Sequence, residues 1–343
     1  MATSAGQCIC GQFSIVTEAA ALAAAEWMGR GDGLAADLAA REAMVAELDR
    51  MPIRGRVVAG RGGNEAPNIL RLGDEVGGGS DSQVAAGLLA EGAADSRDHW
   101  DLAVIPLEGH AALAAGADGA LSMIAAGPSG SFMKVPDMYM QKLVVPEAAA
   151  AVVDIEAPVA DNIRAVAAAL GRRPSDIIVV VLDRPRHEEL IAQIRRCGAR
   201  LKLIADGDLS AGLAAAASDA GADMCIGIGG STEGIMTAAA LRCLGGEIQA
   251  RFWPVSRHQV ELIKAAGIED VEARLTTRDM ADDGVLFSAT AVTAGRFLKA
   301  VDARADGIRT ETLVLCSRCH AIRTIKTTHR SENGGAQVSL GVR

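Results

Sequence analysis

The chain has 343 residues, enough to bury a large core, and this length predicts about two domains or subdomains. Its formal net charge of −9 excludes nucleic acid and anionic membrane as main partners, because both bind clustered Lys and Arg. The longest apolar run, residues 111–127, is interrupted by Gly116, Asp118 and Gly119, so no transmembrane helix of about 20 apolar residues is expected. Residues 1–12 lack the basic start and long apolar core of a secretory signal, which predicts a cytoplasmic protein.

The first third of the chain alternates predicted helices and strands. Apolar periodicity predicts helices at residues 13–28 and 34–48, so Asp32 lies in the turn between them. Short apolar runs predict strands at residues 56–59 and 100–105. Helices and strands in this order indicate an α/β protein.

Three stretches of this region are predicted to be irregular. The loop 60–67 contains Gly and Pro residues that break regular structure, and a loop after a strand is a common place for ligands. Residues 75–98 are rich in Gly, Ser, Ala and Asp, and this composition predicts an irregular segment on the surface. The turn 106–110 carries Glu108 and His110 after the second strand.

From residue 160 the pattern alternates regularly between helix and strand, which indicates a mainly parallel sheet with right-handed crossovers. Ligands of such sheets bind at the carboxyl ends of the strands, where residues 183–187, 206–208 and 227–234 lie. These stretches are therefore expected to share one site. The predicted elements are helix 160–170, strand 176–182, helix 187–197, strand 200–204, helix 209–217, strand 224–228 and helix 234–244.

Charged side chains at these strand ends indicate an anionic ligand. Arg184 and Arg186 stand at the start of a predicted helix, where guanidinium and backbone N–H groups suit a phosphate, although two solvated arginines are the alternative. Asp206 and Asp208 could accept hydrogen bonds from sugar hydroxyls, but Asp-Gly is also a common turn pair. Glu233 either holds Mg²⁺ or Mn²⁺ or caps the following helix.

Three acids in separate loops indicate a divalent-metal site. Asp32, Glu108 and Glu233 are far apart in sequence, and phosphatases that use divalent cations commonly collect their acids from separate loops. The spacing alone leaves open whether the three acids converge.

The seven cysteines form no regular framework, and their odd number argues against a set of disulfides, so reduced thiols are expected. Residues 316–320, Cys-Ser-Arg-Cys-His, match the attachment pattern of a c-type haem. The alternative is a short turn between two strand runs within residues 312–325. The pattern favours the turn, because a short motif without its structural context is only a hypothesis.

Several long motifs resemble those of one family. They occur in the order and spacing of the class II fructose-1,6-bisphosphatases, and the resemblance covers about residues 13–329. The motifs are Met138-Tyr139-Met140-Gln141-Lys142-Leu143, residues 160–171 beginning Ala160-Asp161-Asn162, Pro185-Arg186-His187-Glu188-Glu189-Leu190-Ile191-Ala192, Asp206-Gly207-Asp208, residues 227–234 and Leu286-Phe287-Ser288-Ala289-Thr290.

The resemblance implies the fold of the lithium-sensitive, metal-dependent sugar and inositol phosphatases, a layered α/β/α/β/α sandwich. It also implies a homo-oligomer, either dimer or tetramer, and a sugar bisphosphate as ligand. The expected organisation is an N-terminal α+β subdomain at residues 1–155 with the metal-site loops, a C-terminal α/β subdomain at residues 156–330 with the sugar-phosphate loops, and a flexible tail at residues 331–343.

The resemblance further assigns residues to the site. Asp32, Glu108 and Glu233 fall on ligand positions for Mn²⁺ or Mg²⁺, and Asp32, Glu108 and His110 are the expected catalytic residues. Arg184 stands where the family usually has Lys. The residues expected to contact substrate are Glu108, Gly109, His110, Tyr139, Arg184, Pro185, Arg186, Asp206, Gly207, Asp208 and Gly230.

Three positions depart from the family's pattern. The family's Gly-Glu-Gly-Glu metal loop reads Gly-Arg-Gly-Gly here, and its Asp-Pro-Ile-Glu-Gly-Thr reads Ile-Pro-Leu-Glu-Gly-His. Two metal carboxylates and the Thr associated with activating the attacking water are thus replaced by Arg61, Ile105 and His110. Two negative charges lost and one positive charge gained make the site three units less negative. Residues 79–98 also look like an insertion.

The predicted function is metal-dependent hydrolysis of the 1-phosphate of fructose-1,6-bisphosphate, or of a related sugar bisphosphate such as sedoheptulose-1,7-bisphosphate, in gluconeogenesis and carbohydrate metabolism. Reduced activity is expected, unless Glu65 or His110 rebuilds the site. The alternative is a catalytically inactive paralogue that binds a phosphosugar and has a regulatory or structural role.

Overall fold

The computed structural model describes most of the chain. Three features of the sequence analysis lie outside the described residues, namely Arg61 with its loop 61–67, the insertion 79–98 and the tail 331–343. Within the described part, no helix combines the length and apolar character needed to cross a membrane. The described residues are 8–60, 68–78, 99–217, 220–295 and 297–330.

The chain divides into two compact units. The first unit comprises Met1–Ser131 with Gly284–Arg343, and the second comprises Phe132–Asp283. This division differs from the predicted boundary between residues 155 and 156. The physical reason is strand pairing, because strands within residues 286–329 hydrogen-bond to one another and to the strand Leu121–Pro128 of the first unit.

The regular elements agree with most of the predicted ones and are numbered here in chain order. The helices are α1 Phe13–Ala25, α2 Gly33–Leu48, α3 His110–Ala114, α4 Val159–Ala169, α5 Glu188–Arg196, α6 Asp208–Ala216, α7 Ser231–Leu244, α8 Arg257–Ala265 and α9 Thr277–Met280. Short 3-10 turns cover Ile9–Gln12, Glu147–Ala149, Pro174–Asp176 and Pro185–His187. The strands are β1 Arg54–Gly60, β2 Glu75–Gly77, β3 His99–Glu108, β4 Leu121–Pro128, β5 Tyr139–Val145, β6 Ile178–Leu182, β7 Arg200–Ile204, β8 Met224–Gly230, β9 Glu247–Phe252, β10 Leu275–Thr276, β11 Leu286–Ala291, β12 Asp302–Arg304, β13 Gly307–Cys316 and β14 Ala321–His329.

The first unit is built on a mixed sheet with the strand order β12-β13-β11-β4-β3-β1-β2, and β14 also pairs with β13. β1 and β3 are parallel, whereas the pairs β3–β4, β4–β11 and β11–β13 are antiparallel. Helices α1 and α2 pack against each other and against this sheet. Their contact faces use Ala20, Ala24, Ala36 and Ala40, all fully buried, and such small side chains allow close packing.

The second unit contains a six-stranded sheet with the order β10-β9-β5-β8-β6-β7. β6 is parallel to β7 and β8, but β5 enters antiparallel between β8 and β9, so the sheet is mixed rather than mainly parallel as expected. Alternate side chains of β5 point to opposite faces. Leu143 and Val145 pack with the core under α4 and α5, whereas Val144 lies against Gly212 of α6. The protein is thus mixed α/β, consistent with the predicted α/β sandwich.

Strand β3 is longer than predicted. It was expected to end at residue 105, but the ladder to β4 is interrupted after Ile105 and resumes at Glu108. Pro106 explains the interruption, because proline has no N–H to donate to a ladder. Glu108 is therefore the last residue of a buried strand rather than part of a surface turn.

Candidate active site

The carboxyl ends of β6, β7 and β8 lie at one edge of the second unit's sheet, because these three strands are parallel. β5 runs in the opposite direction and pairs its first residue, Tyr139, with Gly230 at the end of β8. Tyr139 and the loops after β6, β7 and β8 together are called the carboxyl edge. It contains the predicted residues Tyr139, Arg184, Pro185, Arg186, Asp206, Gly207, Asp208 and Gly230.

Arg186 and Tyr139 form a cation–π pair at the carboxyl edge. The guanidinium carbon of Arg186 lies 4.8 Å from the centre of the Tyr139 ring, and its Nη2 donates to the carbonyl oxygen of Ile228 at 2.9 Å. Tyr139 is 45% exposed, so the pair presents a phenol and a positive charge to solvent. Arg184 is half-buried just before the 3-10 turn, and its Nη1 donates to the Asp183 carbonyl at 3.1 Å. Two guanidinium groups therefore offer forked donors to an anion.

A nearly buried ion pair between Lys142 and Asp208 stabilises the carboxyl edge. The Nζ of Lys142 lies 2.5 Å from Oδ2 of Asp208 and donates to the carbonyl of Gly230 at 3.0 Å. The two charged side chains are only 9% and 13% exposed. Gly229 is required here, since a Cβ at its position would lie 1.9 Å from Oδ2 of Asp208. The pair fixes the loop after β7 against β5 and β8.

The turn after β7 presents a carboxylate to solvent. Gly207 has a φ of 85°, in the left-handed region that favours glycine, and precedes the first residue of α6. Asp206 is exposed, and its Oδ1 accepts a hydrogen bond from the Gly207 N–H at 2.9 Å. This geometry satisfies the local turn and leaves the carboxylate of Asp206 on the surface.

His187 ties the loop after β6 to β8. Its Nδ1 lies 2.8 Å from the carbonyl oxygen of Leu182, and its Nε2 accepts from the Ile228 N–H at 2.8 Å. These contacts require a neutral ring with its proton on Nδ1. Burial is the main cause that lowers the pKa of His187 from its usual value, and the nearby charges of Arg186 and Arg184 lower this pKa further.

Glu233 lies in the first turn of α7 and is 4% exposed. A Cβ at Gly230, the residue before α7, would lie 2.0 Å from Oε2 of Glu233, so the carboxylate folds back over the helix N-terminus. The helix dipole stabilises a negative charge there. The structure places this carboxylate beside Gly230 at the helix N-terminus, and both the capping role and the metal-binding role of Glu233 stay predictions.

In the first unit, Asp32 caps helix α2. Its Oδ1 accepts a hydrogen bond from the Ala35 N–H at 2.9 Å, which satisfies one of the free donors of the first helical turn. A Cβ at Gly33 would lie 2.8 Å from the carbonyl oxygen of His110, so the start of α2 packs directly against the start of α3. The structure therefore brings the Asp32–Gly33 turn next to His110, as expected if both belong to one site.

Glu108 and Ile105 both lie in β3 and are both fully buried. Gly109, with a φ of 76°, turns the chain from Glu108 into α3. Ile105 pairs with Met123 of β4 inside the ladder. A hydrocarbon side chain at a buried ladder position has no donor atom for a cation.

The described residues fit a divalent-metal site only in part. Three predicted acids are present, two in the first unit and one in the second, but Ile105 has no ligand atom and Asp32 already caps a helix. Within the described ranges, the only group of three or more Cys, His, Asp or Glu side chains within mutual reach of one ion consists of cysteines. Ile105 therefore leaves the predicted two-metal set without one of its ligand atoms.

Sequence reasoning missed two residues that hold the carboxyl edge in place, Lys142 and His187. Lys142 appeared only within a family motif, yet a lysine in an otherwise apolar strand signals a buried partner. His187 was included in the stretch 183–187, which was predicted to bind an anion, but no role was given to it. Its partners, Leu182 and Ile228, lie on two different strands, so only the tertiary structure identifies it as a cross-strand link.

Comparison with known proteins extends over nearly the whole chain. Residues 8–329 match the family described as "Bacterial fructose-1,6-bisphosphatase, glpX-encoded". A Synechococcus sp. (strain JA-2-3B'a(2-13)) protein named D-fructose 1,6-bisphosphatase class 2/sedoheptulose 1,7-bisphosphatase is 40% identical, with 92% of this chain and 94% of that protein covered. The Escherichia coli (strain K12) fructose-1,6-bisphosphatase 1 class 2 is 37% identical, with 93% and 94% covered. The Haemophilus influenzae class 2 enzyme is 36% identical, with 93% and 95% covered.

Both the extent of these matches and the carboxyl-edge motifs agree with the resemblance identified from the sequence. The chain belongs to the family of bacterial class 2 fructose-1,6-bisphosphatases.

Proposed function

We propose that this chain is a sugar-bisphosphate phosphatase that removes the 1-phosphate of fructose-1,6-bisphosphate or the corresponding phosphate of sedoheptulose-1,7-bisphosphate. The observation that carries the proposal is the carboxyl edge, where the Arg186–Tyr139 pair, Arg184 and the exposed Asp206 lie at the ends of parallel strands. Membership of the family supports the same reaction class. Its place is cytoplasmic carbohydrate metabolism, including gluconeogenesis.

Different residues of the carboxyl edge bind different parts of the sugar bisphosphate. Arg186 and Arg184 bind a phosphate group, because guanidinium forks match its oxygens in geometry and charge. Asp206 accepts hydrogen bonds from sugar hydroxyls, and the phenol of Tyr139 contacts the ligand next to Arg186. Lys142 holds Asp208 and so keeps the loop after β7 in position.

The metal requirement is part of the proposal. Asp32, Glu108 and Glu233 are the candidate ligands for Mn²⁺ or Mg²⁺, whose preferred ligands are carboxylate oxygens. With Ile105 at a ligand position and Arg61 adding positive charge, binding of these ions is expected to be weaker than in relatives with the full set of acids. His110, next to the Asp32–Gly33 turn, is a candidate base or ligand. We also propose a homo-oligomer, dimer or tetramer.

One observation favours a second candidate function. Ile105 is fully buried in the ladder between β3 and β4, so the carboxylate expected at this position is replaced by a side chain that cannot bind a cation. A chain that keeps the carboxyl edge but lacks turnover would bind a phosphosugar in a regulatory or structural role. The two candidates share the ligand and differ only in phosphate release.

Phosphate release from both sugar bisphosphates, measured with Mn²⁺ and with Mg²⁺, tests the proposal. We expect slow, metal-dependent release that Arg186→Ala reduces, whereas Arg195→Ala, at an exposed arginine of the following helix α5, leaves the rate unchanged. Thermal shift with each sugar bisphosphate runs in parallel. Stabilisation without phosphate release supports the binding function, because a ligand well above its dissociation constant stabilises the folded state. The absence of both effects contradicts both candidates.

A further inference from the structure

Four cysteines of the first unit lie together although they come from opposite ends of the described chain. Cys10 lies in the 3-10 segment Ile9–Gln12 before α1 and Cys8 immediately precedes that segment, while Cys316 ends β13 and Cys319 lies in the turn to β14. All four Sγ atoms lie within 4.8 Å of one another. The Cys8–Cys316 and Cys10–Cys319 distances between Sγ atoms are both 3.7 Å.

These distances are those of a tetrahedral metal site. A Zn–S bond of about 2.3 Å with tetrahedral angles places neighbouring sulfurs about 3.8 Å apart. A disulfide requires about 2.05 Å, and none of the seven cysteines is in a disulfide. We propose that Cys8, Cys10, Cys316 and Cys319 bind one Zn²⁺ ion as a tetrathiolate site, made of residues that have no part in the predicted active site.

Hydrogen bonds around the sulfurs suit thiolates rather than thiols. The Nη1 of Arg323 on β14 donates to Cys10 Sγ at 3.2 Å. Backbone N–H groups of Cys319 and Ala321 donate to the sulfurs of Cys316 and Cys319, which is how a tight turn between two ligands stabilises their negative charge. Donors to the sulfurs outside the ligand set are typical of metal centres.

The four ligands lie in the interior of the first unit or at its margin. Cys10 and Cys316 are buried, and Cys8 and Cys319 are half-buried. A dication offsets the charge of four thiolates and releases their protons on binding. The clustered sulfurs and the donors around them therefore suit a bound dication.

The site would join two segments that also meet further along α1. Buried hydroxyls of Thr17 on α1 and Ser288 on β11 lie 3.0 Å apart, and Glu18 accepts hydrogen bonds from Thr312 and Thr327 of the β13–β14 hairpin. Four protein ligands leave no open position, so the zinc is structural rather than catalytic. It fastens the start of α1 to the tip of this hairpin.

Metal analysis of the full-length chain, purified without a metal-binding tag, tests the proposal first. About one zinc per chain is expected. It should be released as four thiols react with an added mercurial reagent. Replacement by Co²⁺ should give the intense visible bands of tetrahedral thiolate coordination. A chain with four free thiols and no zinc, two disulfides found by mass spectrometry, or one iron per chain in place of zinc would each overturn the assignment.

Variants separate the site from the other cysteines. Cys319→Ser should lose the zinc, whereas Cys197→Ser, at the end of α5 in the second unit, should keep it. Cys319→His offers a replacement ligand if the serine variant fails to fold, and it should keep the metal with a shifted Co²⁺ spectrum. Arg323→Ala should weaken zinc affinity by about tenfold, as expected for a group that hydrogen-bonds a ligand. Full zinc content in Cys319→Ser with unchanged affinity would contradict the proposal.

Discussion

The two units differ in how much of the family's chemistry they retain. The second unit keeps the carboxyl edge with Tyr139, Arg186 and Asp206, supported by the buried pair of Lys142 and Asp208. The first unit keeps two of the predicted acids but has a buried isoleucine, Ile105, at a predicted ligand position. Under the proposed function, the residues predicted to bind the sugar bisphosphate and those predicted to bind the metal lie mostly in separate elements, so one set can change while the other is kept.

The largest expected effect is on the free energy of unfolding, when the Lys142–Asp208 ion pair beneath the carboxyl-edge loops is broken. Lys142→Met leaves the carboxylate of Asp208 nearly buried without its cation, and we expect a loss of about 3 kcal/mol in the free energy of unfolding. Denaturant unfolding measures this loss. The matched control is Lys264→Met, in the last turn of the surface helix α8, which should change stability by less than about 0.5 kcal/mol. Equal effects for the two lysines would contradict a special role for the Lys142–Asp208 pair.

Removing the Arg186 guanidinium should weaken ligand binding rather than folding. Arg186→Ala deletes a charged donor at the carboxyl edge, which predicts a dissociation constant for fructose-1,6-bisphosphate about tenfold to a hundredfold higher. Calorimetric titration measures it, with Arg195→Ala as the control. Arg186→Lys should recover only part of the affinity, because an ammonium group lacks the guanidinium fork. An unchanged affinity in Arg186→Ala would remove the carboxyl edge from the binding site.

Acid should weaken the second unit through His187. Because burial lowers the folded-state pKa of this residue, the unfolded chain takes up a proton first as the pH falls below about 6.5. Stability is therefore complete above that pH and is lost at up to about 1.4 kcal/mol per pH unit as the pH falls towards the folded-state pKa. His187→Gln should flatten this slope, measured by unfolding at several pH values, whereas the exposed His258→Gln should not. A slope that survives in His187→Gln would assign the effect to other groups.

The smallest effect separates capping from metal binding in the first unit. Asp32→Ala should cost about 1 kcal/mol, because the Ala35 N–H loses its acceptor, whereas Asp32→Asn should keep most of the cap. Thermal unfolding measures the stability of both variants, and phosphate release measures their activity. A stable Asp32→Asn variant without activity would assign Asp32 a role in metal binding. Full activity in that variant would restrict Asp32 to helix capping.

Much of the fold could be predicted from local patterns. Helices α4–α7 and strands β6–β8 lie close to their predicted positions, because regular apolar periodicity and Gly-rich loops define them locally. The antiparallel entry of β5 and the return of β11–β14 to the first unit depend on long-range pairing, which no local pattern encodes. The hairpin between Cys316 and Ala321 was predicted as a turn, and the structure confirms it.

For the two candidate sites as well, prediction from the sequence succeeds only where a local pattern defines the residues. The carboxyl-edge residues could be predicted because parallel strands gather their ends at one edge. The cysteine cluster could not, since Cys8 and Cys316 are separated by 308 positions and each pair alone has several meanings. The Cys-x-Cys and Cys-x-x-Cys spacings were the available signal, but neither pair by itself indicates that the two pairs meet.

The most direct test of the account compares the parent with the double variant Arg61→Glu, Ile105→Asp. Under the proposed function, the second unit recognises the sugar bisphosphate and the lost carboxylates limit turnover. We therefore expect the folded double variant to release phosphate from fructose-1,6-bisphosphate with Mn²⁺ at least about tenfold faster than the parent, because the restored carboxylates would hold a cation that stabilises the charge developing in the reaction. A double variant that folds, binds the sugar bisphosphate and is no faster than the parent would contradict it.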